Sequence, residues 1–85
     1  MKPDWKPAVE YGPQGWSAVV KRERWWGMQK RYAYWWTFKR EWEFSSWPPG
    51  GDNSRTKAEQ VAVDAAVYLN DLEARNRREI FEVEG

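Results

Sequence analysis

Between Trp16 and Trp47 apolar and polar residues alternate for most of that stretch, the period-two pattern of strands that bury one face. The pattern predicts strands over roughly 16–24 and 28–38, joined by Trp25-Trp26-Gly27 as a three-residue hairpin loop with glycine in the left-handed position. Such a loop pairs residue 24 with 28, 22 with 30, 20 with 32, 18 with 34 and 16 with 36. It gathers Trp16, Ala18, Val20, Tyr32, Tyr34 and Trp36 on one face, with Ser17, Val19, Lys21, Arg31, Ala33 and Trp35 on the other. Arg22, Arg24 and Lys30 then meet at the hairpin tip on the core side. A slip of one residue would turn one strand's set over.

After Trp36 the same parity runs on through Phe38, Trp42 and Phe44. Two continuations fit: a turn near Lys39-Arg40-Glu41 followed by a third strand over 41–47, or one long bent strand that pairs with 7–11. An antiparallel sheet of about three strands results in either case. Residues 1–15 carry Pro3, Pro7 and Pro13 and read as an extended arm that can hold a short edge strand over 7–11, and in which Trp5 either plugs the core or stands exposed, the plug being favoured. Residues 45–55, with Pro48-Pro49-Gly50-Gly51, read as a loop; Trp47 within it is expected to cover the core edge rather than stand free.

A helix over about 56–77 opens on Thr56-Lys57-Ala58-Glu59, a capping-box spacing. Ala58, Val61, Ala62, Ala65, Tyr68, Leu69 and Leu72 share one face of it, where small alanines let a helix lie close to an aromatic sheet. Val63, Val67, Asn70 and Ala74 form a second stripe. It suits packing against the 80–85 tail, where Ile80, Phe81 and Val83 stand among acids, or against a second copy of the helix; scattered exposed valines are the plainer reading. The expected architecture is α+β, with a sheet-plus-helix domain over 16–79 between the arm and the tail.

Composition narrows the chemistry. Eighty-five residues make one small core, which the aromatic rings can close at roughly 150–250 Å² buried each. Cysteine and histidine are both absent, which removes thiol chemistry, the commonest metal ligands and the commonest general base. No nucleophile stands beside a base and no glycine-rich phosphate loop is present, so a non-enzymatic protein without cofactor or metal is expected. The amino-terminal MKPDWKPAVE lacks an apolar signal region, and no apolar run approaches the roughly 18–20 residues of a membrane span; a cytoplasmic location is the default. The net charge of +1 is unevenly spread, because residues 17–44 hold seven basic and three acidic side chains while residues 45–85 hold five and eight.

The constellation with chemical meaning is Lys21, Arg22, Arg24, Lys30 and Arg31 around Trp25, Trp26 and Trp35. Cations neutralise phosphates, and exposed rings or a strand ribbon stack on bases or enter a major groove. Cations on a sheet face also serve solubility and edge protection alone. The strands with WSAVVKRERWWG, followed by a helix opening RTKAEQVAVDAA, resemble the three-stranded-sheet-plus-helix DNA-binding domains of the AP2 and phage integrase arm-binding type. They are similar in style also to small Trp- and Arg-rich orphan proteins of actinobacteria and their phages. The first resemblance implies that Arg22, Arg24, Lys30, Arg31 and Trp35 meet DNA from the sheet. Nucleic-acid binding is therefore the leading expectation. The alternative is a protein-interaction module, phage-encoded and directed at a host protein, since Trp, Tyr and Arg are also the residue types enriched at interface hot spots. Homodimerisation through Val63, Val67, Asn70 and Ala74 is compatible with either.

Overall fold

Among the described residues four strands and a helix follow one another as β1 (Lys6–Gly12), β2 (Gly15–Arg24), β3 (Gly27–Trp36), β4 (Glu41–Ser45) and α1 (Arg55–Arg77). The computed structural model describes residues 5–24, 27–48 and 50–77. The sheet is antiparallel in the order β1-β2-β3-β4, each strand pairing with the next in sequence. Both candidates for the third strand are thus present, on opposite edges, and the sheet has four strands. Much of the expected arm is itself an edge strand, with Ala8 opposite Val19 and Tyr11 opposite Trp16.

The first hairpin differs from expectation by one residue. Arg24 pairs with Gly27, Arg22 with Gln29 and Val20 with Arg31. The connection is therefore two residues long; those two, Trp25 and Trp26, lie outside the described residues. Gly27 belongs to the strand, with φ of 135°. Strand alternation turns this single step into an inversion of β3. Trp16, Ala18 and Val20 keep the face toward α1, but they share it with Arg31, Ala33 and Trp35, while Tyr32, Tyr34 and Trp36 lie with Ser17, Val19 and Lys21 on the open face, the one away from α1, where Ser17, Val19 and Tyr32 are nevertheless buried.

The second hairpin turns through residues 37–40 and sets Trp36 opposite Glu41 and Trp35 opposite Trp42. Arg40 takes the left-handed position, with φ of 55°, the role usually given to Gly or Asn. Four turn residues reverse the parity, so Trp42 and Phe44 share the helix face with Ala33 and Trp35. Phe38, at the turn, is exposed.

Below Val19 the ladder between β2 and β3 ends, and Asp52 takes the vacated side of β2. Trp16 N–H donates to the Asp52 carbonyl at 2.9 Å and Asp52 N–H to the Trp16 carbonyl at 2.8 Å. The approach depends on glycine: a Cβ on Gly51 would lie 1.3 Å from the Gln14 carbonyl oxygen. Trp47, in the same connection, is 77% exposed rather than covering the core. It lies at the rim of the β1–β2 turn, where it lines a groove with Tyr11, Pro13 and Pro48.

The helix starts two residues earlier than its capping-box spacing suggests. Ser54 is the N-cap: its hydroxyl accepts from Lys57 N–H at 3.2 Å, while Asp52 Oδ1 accepts from Ser54 N–H. Glu59 instead pairs with Arg55, one turn back, because Thr56 is already inside the helix. Ala58, Ala62, Ala65, Ala66 and Leu69 are buried, and Trp5, Val20, Ala33, Ala65, Ala66 and Leu69 form the core, with Trp42 and Phe44 half-buried beside it. Trp5 is the plug, 4% exposed.

Candidate functional site

The predicted basic-aromatic residues do not converge on one face. Lys21 and Lys30 are directly opposed across β2 and β3, and Lys6 stands opposite Lys21 on the other side, so three lysines form a row across the open face. Like charges in adjacent register positions repel. Glu10 offsets this, taking the Lys30 ammonium at 2.6 Å on Oε2 and the Tyr32 hydroxyl on Oε1. These contacts reach from β1 across β2 to β3, over the row that holds Val19, which is fully buried. The Glu10 carboxyl is held below its ordinary value, first by the Lys30 hydrogen bond and then by that of Tyr32. The same carboxylate raises Lys30 and Tyr32.

Arg22 lies on the helix face, where its Nη1 donates to Glu73 Oε1 at 2.9 Å and Oε2 at 3.2 Å. Its guanidinium covers the Trp5 ring, 4.3 Å from the centroid, and Trp5 Nε1–H donates to the same Glu73. This is a structural clasp that closes the upper end of the core. Arg31 is exposed on the helix face, separated by the sheet from Lys21 and Lys30. Arg24 takes its strand position opposite Gly27, and Trp25 and Trp26 are outside the described residues. Trp35 is 44% exposed, but it stands on the helix face, edge-on to Trp42 at 5.2 Å.

The second helical stripe divides as well. Val63 and Val67 are exposed; Ala74 is partly covered; Asn70 is engaged with the backbone of Trp5. Packing of the stripe on Ile80, Phe81 and Val83 falls outside the described residues.

One surface is not anticipated by residue type alone. The helix packs on β1, β2 and, less, β3. Four strands span roughly 15–20 Å, whereas one helix with its side chains is roughly 10–12 Å wide, so the β4 side of the helix face stays partly uncovered. There Trp35, Trp42 and Phe44 form a ledge, walled by Tyr68 of α1 with ring centroids 6.4 Å from Trp42 and 6.5 Å from Phe44. Trp35 and Tyr68 are exposed, and Trp42 and Phe44 are half-buried. Trp42, Phe44 and Tyr68 read as core in the sequence; the signal that they are only half core is the strand count.

Among the described residues no group of three or more carboxylates could hold a metal ion, and no helix is long and apolar enough to cross a membrane. No family model, curated protein or solved structure matches the chain.

Proposed function

We propose that this chain is a small non-enzymatic binding protein that engages another protein through the aromatic ledge of Trp35, Trp42, Phe44 and Tyr68. The observation that carries this reading is the half-cover of the ledge: large rings fixed by a rigid sheet and helix, with Trp35 44% and Tyr68 38% exposed on one continuous surface. Pre-positioned aromatic rings lose little conformational freedom on binding, which is why Trp and Tyr dominate interface hot spots. Phe38 is a further exposed ring, 84% exposed at the β3–β4 turn.

Nucleic acid is the second reading, and the row Lys6, Lys21 and Lys30 favours it: three ammonium groups in line across adjacent strands suit a phosphate backbone. Two features weigh against it. Lys30 is neutralised by Glu10, and Arg22, Arg31 and Trp35 lie on the opposite face.

A photo-crosslinking residue placed in turn at Trp35, Tyr68 and Lys21, in the cells from which the protein comes, separates the two. Protein adducts from positions 35 and 68, absent from position 21, are expected. Nucleic-acid adducts from position 21 with none from the ledge would overturn the proposal in favour of the second reading. Binding through the lysine row would also weaken with salt, with a logarithmic slope of about −0.9 per phosphate neutralised on duplex DNA.

A further inference from the structure

The ledge borders a strand with an open edge. Among the described residues β4 pairs with β3 alone, so every second residue of Glu41–Ser45 turns its N–H and C=O outward. Such an edge is a template for another strand. The opposite edge is less receptive, because β1 carries Pro7, which has no N–H, and the chain entering it at Trp5 is fastened to α1 by Asn70.

Charge and alternation say what kind of strand fits. On β4 the side chains alternate strictly: Trp42 and Phe44 face the ledge, and Glu41 and Glu43 face the open side. Neither glutamate has an ion-pair partner among the described residues. Across the ledge, Asp64 and Asp71 stand four positions before and three after Tyr68, where helix geometry makes them its neighbours. Asp64 accepts from the neutral Gln60 amide, and Asp71 is paired with Arg75. A strand added here would set its own alternate residues against the rings and the remaining ones against the glutamates. A second copy is disfavoured, since pairing all five β4 residues about a two-fold axis sets Glu43 against Glu43. The acidic tail, with Glu79, Glu82 and Glu84, meets the same repulsion.

We infer that β4 accepts an extended partner segment of alternating basic and apolar residues, added as a fifth strand, with its apolar side chains on the Trp42–Phe44–Tyr68 ledge and its cations against Glu41 and Glu43. This rests on the ledge reading and specifies its partner. The glutamates have another use, as charges that keep an edge strand from pairing with anything, and the test must tell the two apart.

The probe is a labelled heptapeptide, Lys-Val-Lys-Phe-Lys-Val-Lys, compared with a twin carrying Glu for Lys and with a twin methylated on every backbone nitrogen. Affinity is read by anisotropy, and position by backbone amide shifts of the full chain. The lysine peptide is expected to bind, with the largest shifts in 41–45 and at Tyr68, and both twins to fail. Glu41→Lys with Glu43→Lys should weaken the lysine peptide by roughly two- to thirtyfold per reversed pair of charges and admit the glutamate twin, a gain that a misfolded variant cannot show. Equal binding of the methylated twin would reduce the interaction to charge and overturn strand addition. Absence of shifts at 41–45 would make the glutamates guards of the edge only. If positions 35 and 68 crosslink to protein while the peptide leaves β4 unchanged, the ledge reading survives and this inference does not.

Discussion

Asn70 holds the backbone of Trp5 as a neighbouring strand would: Trp5 N–H donates to Asn70 Oδ1 at 3.1 Å, and Asn70 Nδ2 donates to the Trp5 carbonyl at 3.1 Å. The two residues are sixty-five positions apart, so this contact ties the beginning of the chain to the helix. Asn70→Ala leaves one donor and one acceptor unpaired beside the core, and should cost about 1–3 kcal/mol of unfolding free energy. Trp5→Ala empties the plug and should cost about 3–5 kcal/mol. Urea denaturation of both variants checks this; an Asn70→Ala variant as stable as the parent would show that Trp5 is held by its ring alone.

Arg22 and Glu73 are coupled through Trp5 as well as through their ion pair. With side-chain exposures of 17% and 29% the pair is better shielded than an ordinary surface bridge, which is worth about 0–1 kcal/mol. A double-mutant cycle of Arg22→Met and Glu73→Gln should give a coupling energy above that range, of about 1–2 kcal/mol. It should shrink when Trp5→Ala is introduced in the background. A coupling near zero would mean that Arg22 contributes only by stacking on the ring.

The Glu10 cluster sets a pH dependence with two limbs. The folded Glu10 carboxyl lies below its ordinary value because of the Lys30 and Tyr32 hydrogen bonds. Its contribution is complete above the unfolded carboxyl value of about 4.3 and disappears as pH falls through the lower folded value. Lys30 and Tyr32 are raised by the same carboxylate. Their contribution is complete below their unfolded values of about 10 and is lost as pH rises through the folded ones. Glu10→Gln should flatten both limbs of a stability-against-pH curve from denaturation at stepped pH. If only the acid limb changes, Tyr32 and Lys30 are not linked to Glu10 in solution.

Two backbone positions should respond in opposite senses. Arg40 holds a left-handed φ of 55°, a conformation that costs an L-residue roughly 1–2 kcal/mol. Arg40→Gly relieves that cost against the greater freedom glycine has when unfolded, for a net gain of up to about 1 kcal/mol. Gly51→Ala places a methyl group against the Gln14 carbonyl and should destabilise by about 1–3 kcal/mol as the loop is pushed off β2. Thermal melts of the two variants should shift up and down respectively; a downward shift for both would remove strain at Arg40 from the account.

Much of the fold is legible in residue order. Period two from Trp16, the proline- and glycine-rich 45–55 loop, and alanines at helical spacing predict an antiparallel sheet followed by a helix, and that is what forms. The N-cap is recoverable too: Ser54 precedes Thr56 and is an equally good cap, so the capping-box match at Thr56–Glu59 shifts attention by two residues. The candidate site is far less legible. The basic cluster around Trp35 is a set of neighbours in sequence that already divides between two faces, and the inversion of β3 regroups it, Lys21 with Lys30 and Arg22 with Arg31 and Trp35. The ledge comes from a ratio of widths, four strands against one helix, that no single residue carries.

The sequence by itself determined which residues within each strand share a face, because side-chain alternation is a local consequence of extended backbone. It also determined the helix and its alanine-lined buried side. Only the tertiary structure decided which way β3 faces, because a connection of two residues rather than three inverts every side chain beyond it. The same holds for the uncovered Trp35–Trp42–Phe44–Tyr68 ledge beside the open edge of β4, since where α1 lies depends on contacts from Trp5 and Arg22 to Asn70 and Glu73, about fifty or more positions away along the chain.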